Sequence, residues 1–234
     1  MNIAKKIPIF LLFFACLCTL FVPCAAQENI PAYVFYFSNL GIGGSESIYA
    51  DLLAMGYDAE LDDDRDAREI VDDMGKAGVF VYIGHGSPGI LACAGDTVIT
   101  ALETDNGENY VSLEAKYANT AEKLSNVRLV YYGSCFSNSY STEFGRLTTY
   151  TADVLEAGSV VGFDNSVSDR VTTRFETVFF NRLLAEYSVQ TAINLAKADA
   201  QASFPSSYEA SNVGTAIIFG DGNIRINPAG FRSN

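Results

Sequence analysis

The single histidine of the 234-residue chain, His85, stands between Gly84 and Gly86, directly after the run VFVYI, Val79 to Ile83. Fifty residues on, Cys135 ends a second segment of the same kind, VRLVYYGSC. A thiol becomes a strong nucleophile at neutral pH when an imidazole takes its proton. If the two runs are neighbouring strands, His85 and Cys135 converge above one sheet edge. Gly84 and Gly86 would let the backbone turn sharply and approach a ligand. The N–H groups of Gly86 and Cys135 would then form an oxyanion hole, where one donor is often worth about 3 kcal/mol. The competing readings are a structural histidine in a tight turn and a disulfide between Cys135 and Cys93. Ser87 makes no serine hydrolase, because G-x-S-x-G is absent.

The elements that must position this pair alternate along the chain. Tyr33 to Phe37 reads as a strand, and the following stretch as a helix in which Ile48, Leu52 and Met55 recur at helical spacing up to Gly56. Tyr57 to Leu61 reads as a strand and Asp64 to Lys76 as a helix with acids in its first turn. Val79 to Ile83, Val127 to Tyr132 and Ser159 to Phe163 are apolar runs of the kind expected of strands covered on both faces. Helices are expected over Asp169 to Glu186 and Ser188 to Ala202, then a last strand pair, Thr215 to Phe219 and Asn223 to Ile226. Residues 89–126 break the alternation and are expected to hold a small hairpin, ILACAGDTVIT, and one helix. This order argues for an α/β fold, a largely parallel sheet with helices on both faces. Ligands of such sheets bind at the carboxyl ends of the strands, where His85 and Cys135 fall.

Residues 1–26 read as an export signal: Lys5 and Lys6, an apolar run from Ile7 to Val22, and small residues at Cys24-Ala25-Ala26. The run is shorter than a membrane-spanning helix needs, so no membrane association is expected after cleavage. The remainder, 27–234, is one domain's worth of chain. It keeps 13 basic against 28 acidic side chains, a net charge of −15, which repels phosphate backbones and argues against nucleic acid as a partner. Only Cys93 and Cys135 survive signal removal, so the domain is no disulfide scaffold. Asp62, Asp63, Asp64, Asp66, Asp72 and Asp73 offer oxygen ligands of the kind calcium takes. Their spacing matches no EF-hand, and a solvated loop and helix start is the favoured reading, so no cofactor is expected.

An apolar run ending in His-Gly, followed about 50 residues later by a second run ending in Ser-Cys, resembles the caspase-like cysteine peptidases, a group that includes caspases, legumains, gingipains and clostripain. VFVYIGHGSPGIL is similar to the legumain segment, and TAIIFGDGNIRI to the closing strands of the gingipain catalytic domain. GSVVGFDNSVSD and the helical segments after it resemble the strand and helices that come after the cysteine throughout the group. The resemblance implies a caspase-like three-layer αβα sandwich with about six strands. It also implies peptide hydrolysis by Cys135 as nucleophile and His85 as proton donor and acceptor, with Gly86 and Cys135 N–H groups on the oxyanion. Asn39 stands where legumains have the Asn that orients the histidine.

Several relatives carry Asp or Glu two residues before the cysteine, where this chain has Gly133. An acidic floor for the pocket of the residue preceding the scissile bond would have to come from Asp164 or Asp169. The expected function is an exported cysteine endopeptidase acting on peptide or protein substrates. The rival from another class is a catalytically silent caspase-like domain that binds a partner or regulates a peptidase.

Overall fold

The computed structural model describes residues 29–40, 43–105, 107–120 and 123–228. The signal reading of residues 1–26 lies outside them. Six strands form the central sheet: β1 (Pro31–Tyr36), β2 (Asp58–Asp63), β3 (Val79–Ile83), β8 (Leu129–Gly133), β9 (Ser159–Phe163) and β10 (Ala216–Gly220), in the order β10-β9-β8-β3-β1-β2. All neighbours pair in parallel except β10, which runs antiparallel to β9. The alternating strand and helix periods thus produce the mostly parallel α/β sandwich expected of the sequence.

Period-two alternation within each strand sorts the core into two layers. Val79, Val81, Leu129, Tyr131, Val161 and Phe163 face α1 (Gly43–Met55), α5 (Asp169–Leu184) and α6 (Val189–Ser203). Phe80, Tyr82, Val130, Tyr132 and Val160 face α2 (Ala67–Met74), α3 (Leu113–Tyr117) and a second, small sheet. Phe175, Phe179 and Phe180 of α5 are fully buried, each worth roughly 1.5–3 kcal/mol of apolar burial. Their rings meet Tyr131 and Phe163 at centroid separations of 5.6–5.9 Å, which clamps α5 over β8 and β9.

The insertion between β3 and β8, expected to hold a small hairpin and one helix, holds a larger four-stranded sheet: β4 (Gly86–Ser87), β5 (Ile90–Ala92), β6 (Val98–Thr100) and β7 (Tyr110–Ser112), followed by α3. Pro88-Gly89 turns β4 into β5, with Gly89 at φ 77°, where a side chain would be strained. This hairpin begins one residue after His85. It therefore fixes where the chain goes on leaving β3.

Further details differ from the expectation. Asn223 to Ile226 is not a strand. Its segment instead satisfies the first turn of α6, whose N–H groups have no partner within the helix: Val189 N–H donates to Ile224 O at 3.0 Å and Gln190 N–H to Gly222 O at 2.8 Å. A short helix, α7 (Tyr208–Val213), precedes β10 where none was expected. The helical turn Leu147–Thr149, here α4, continues as a π-helix, Tyr150–Val154, leading into β9. Among the described residues no helix is long and apolar enough to cross a membrane.

Candidate active site

His85 and Cys135 follow adjacent strands in matched register. Ile83 pairs with Gly133 at the last rung of the β3–β8 ladder, and Gly84 N–H continues it to Gly133 O at 3.2 Å. Both side chains line one cavity of about 160 Å³, with Leu40, Gly44, Ser45, Val167, Thr172 and Glu176 on its walls. The cavity opens at the carboxyl ends of β1, β3 and β8, on the α1 and α5 side of the sheet.

The main chain of His85 is held from two directions. Its carbonyl accepts from Ala92 N–H and from the Tyr82 hydroxyl, both at 3.0 Å, and Tyr82 also reaches Ala92 O. Tyr82 is in β3 itself, so its ring must fold back over Gly84. A Cβ at Gly84 would collide with that hydroxyl and lie 3.0 Å from Phe37. Gly84 and Gly86 do not adopt positive φ. Their value here is space, which corrects the expectation of a sharp glycine-specific turn. At Gly86 a Cβ would lie 2.7 Å from Cys135 O and 2.6 Å from Ser134 Oγ, so the two loops touch backbone to backbone. The exposed His85 ring meets Phe37 edge-on, centroids 5.7 Å apart.

Cys135 is partly exposed and free, and Cys93 is buried and free, so no disulfide joins them. Cys93 lies in the core layer beneath the small sheet, and burial with the nearby Asp66 charge pushes its thiol up to about 12. Such a thiol is unreactive at neutral pH. The Cys135 sulfur accepts from Val167 N–H at 3.4 Å and lies 3.5 Å from Ser166 Oγ. No hydrogen bond joins it to His85 in this state. Catalytic contacts of this kind commonly tighten only with substrate.

The loop carrying Cys135 is tied to β9 by buried side chains. Ser137 Oγ donates to Tyr132 O at 2.9 Å and accepts Phe163 N–H at 3.0 Å. Asn138 accepts from Thr148 Oγ1 at 2.5 Å and donates to Asp164 Oδ1 at 2.6 Å. Phe136, next to Cys135, is held at φ 56°, a conformation rare for a bulky residue and met at functional turns. On the facing loop, hydrogen bonding by His85 and Ala92 makes Gly86–Leu91 the non-bonded rung of the antiparallel β4–β5 ladder. The Gly86 N–H therefore points away from β5.

The remaining sequence candidates part company. Asp169 lines the cavity in the first turn of α5. Asp164 does not line it. Its carboxylate serves Asn138 and its carbonyl Ser139, so it is part of the tie to β9. Asn39 is exposed in the 3-10 turn Ser38–Leu40 and makes no hydrogen bond with His85. Five of the six acids in the acidic cluster have local partners. Asp66 caps α2, Asp64 accepts from Ser38, and Asp62, Asp72 and Asp73 pair with Arg65, Lys116 and Lys76. Among the described residues no three His, Cys, Asp or Glu side chains gather to hold a metal.

One acid on the cavity wall escaped the sequence reading. Glu176 is 2% exposed, on the stripe of α5 formed by Val171, Thr172, Phe175, Glu176, Phe179, Phe180 and Leu183. Its Oε1 accepts from the Tyr131 hydroxyl at 3.1 Å. Burial raises the carboxyl to about 8, with Asp169 adding to the rise and the Tyr131 hydrogen bond opposing it. The available signal was a lone acid at a core position of FETVFF.

The sequence profile described as Peptidase family C25 matches residues 43–227. Among curated proteins no sequence matches significantly. Of solved structures, the Arg-specific cysteine proteinase gingipain R superposes with a TM-score of 0.60 at 12% identity, over 83% of this chain and 47% of its own. Saccharomyces cerevisiae separase, in its complex with securin, gives 0.56 at 15% identity, over 82% of this chain and 12% of its own. Caspase-1 from Spodoptera frugiperda gives 0.50 at 14%, over 83% and 90%. The chain thus spans about half the length of the gingipain, and at these identities the likeness is one of fold. The profile selects the gingipain branch among the groups that the two strand-end motifs resemble. With a match across most of its length, the chain belongs to peptidase family C25, among the caspase-like cysteine peptidases.

Proposed function

We propose that this chain is an exported cysteine endopeptidase in which Cys135 and His85 form the catalytic dyad. The observation that carries the reading is the convergence of the only histidine and the only partly exposed described cysteine on one cavity, from adjacent strand ends in matched register. The Cys135 sulfur attacks the scissile carbonyl carbon after His85 takes the thiol proton. The carbonyl electron pair moves onto oxygen, which the N–H groups of Gly86 and Cys135 stabilise. Collapse of the intermediate breaks the C–N bond, and His85 protonates the departing amine. His85 then takes a proton from water, which hydrolyses the thioester and restores the thiol.

The two N–H groups suit this role. Gly86 N–H is turned from its ladder, and Cys135 N–H donates to no described backbone group. Export is supported by the basic and apolar pattern of residues 1–26. A peptidyl acyloxymethyl ketone tests the dyad directly. The reduced protein should be labelled at Cys135, and His85→Ala should abolish labelling. A fully reduced, folded protein that takes no label from any peptidyl probe is the silent binding domain instead.

A further inference from the structure

The imidazole of His85 is held by no hydrogen bond from a described side chain, and Asn39 does not reach it. The ring is exposed and meets Phe37 edge-on. A general base must point at the proton it takes, and a misplacement of about 1 Å can cost as much as 100-fold in rate. With no partner on the ring, its direction depends on the main chain from which it leaves β3.

That main chain is pinned from the other face of the sheet. Side chains alternate along β3, so Tyr82 lies in the layer of α2, α3 and the small sheet, opposite the cavity. It is 1% exposed, and its hydroxyl crosses Gly84 to the carbonyls of His85, at 3.0 Å, and of Ala92. Ala92 N–H donates to the same His85 carbonyl. The phenol therefore clasps both sides of the hairpin at the rung where the chain leaves the central sheet. Burial, with Cys93 adding to it, holds the phenol well above its ordinary range, so it remains a donor. A Cβ at Gly84 would lie 2.6 Å from Tyr82 Cζ and 3.0 Å from Phe37. One missing side chain thus makes room for the group that holds the His85 backbone and for the ring that meets its imidazole. The far end of the hairpin is seated as closely. At Gly89 a Cβ would lie 2.8 Å from Gly145 O and 2.8 Å from Phe144 Cβ, in the loop that follows Cys135.

We infer that Tyr82 is a positioning residue of the dyad: its hydroxyl, passing over Gly84, fixes the carbonyl of His85 and with it the direction of the imidazole. The assignment rests on the peptidase reading above for what His85 does, and on the hydrogen bonds alone for how it is held. Tyr82 acts through His85 from across the sheet and does not line the cavity. Phenylalanine in its place would fill the same space and leave His85 O with the Ala92 N–H alone.

Tyr82→Phe tests it, with Tyr132→Phe as the matched control. Tyr132 stands opposite Tyr82 in the β3–β8 register, is as deeply buried, and its hydroxyl bonds Thr151 Oγ1 instead of a loop carbonyl beside the dyad. Each variant removes one buried hydroxyl and keeps its ring, so both should lower the melting temperature to a similar extent. Only Tyr82→Phe should lower kcat, on the order of 10-fold, with KM unchanged. A second readout needs no turnover. The chain has one histidine, so the imidazole C–H signals of a proton NMR spectrum belong to His85 without ambiguity. At fixed pH they should shift in Y82F and keep their positions in Y132F. An unchanged kcat in Y82F, equal kcat losses in the two variants, or imidazole signals that Y82F leaves in place overturns the assignment. Signals that shift in Y82F alone, in a protein whose parent takes no peptidyl probe, would sink the peptidase reading and leave the hold on His85 standing.

Discussion

Glu176 Oε1 occupies the space that a side chain at Gly133 would need, 2.9 Å from where its Cβ would stand. A residue of α5 and the last residue of β8, 43 positions apart in the chain, thus compete for one volume.

Gly133→Ala should destabilise the protein by about 1–3 kcal/mol, because the methyl group also meets the Tyr131 ring at 2.7 Å and Tyr82 O at 3.1 Å. Combining it with Glu176→Ala should recover part of the loss, since one of the three obstacles goes. Urea unfolding of the single and double variants measures this coupling. Strict additivity would mean that the two positions do not contend.

The stability of the protein should carry the mark of Glu176. Its carboxyl titrates near 8 when folded and near 4.5 when unfolded, so the folded state binds the proton more tightly. Its contribution is fully present below about pH 4.5 and is lost as pH rises towards 8. The non-titrating Glu176→Gln variant should therefore gain on the parent across this window, by at most about 1.4 kcal/mol per pH unit. Denaturant midpoints at pH 5, 6.5 and 8 give the comparison, and a constant difference would refute the buried titration.

The two thiols should separate cleanly. Brief treatment of the folded protein with iodoacetamide should modify Cys135 and spare Cys93, whose burial holds its thiol protonated. Cys93→Ala should retain activity and Cys135→Ala should lose it. Peptide mapping after alkylation identifies the modified residue, and equal labelling of both would contradict the core position of Cys93.

Much of this arrangement was legible without coordinates. The runs VFVYI and SVVGF occupy β3 and β9 residue for residue, because short apolar segments rich in β-branched and aromatic residues have few other outcomes. The helices of residues 169–203 were visible in the helical stretches Asp169 to Glu186 and Ser188 to Ala202, and the structure adds the cap, the Ser188 hydroxyl accepting Thr191 N–H at 3.3 Å. Asn223 to Ile226 misled because its β-like composition is used to supply carbonyls to α6, a demand that exists only once that helix end is in place. Asp164 looked like a pocket acid from its position after β9. Its partner Asn138 comes from a loop 26 residues away, which local pattern does not reveal.

The sequence by itself determined the alternation of strands and helices, the solitary imidazole and the thiol at two strand ends. These come from short-range periodicity and from glycines next to chemistry-bearing residues. Only the tertiary structure decided which acid faces the cavity. Burial and proximity depend on how α5 crosses β8, and that crossing is set by the contacts of Phe175, Phe179 and Phe180 with Tyr131 and Phe163. The same packing that buries those rings carries Glu176 to the space beside Gly133.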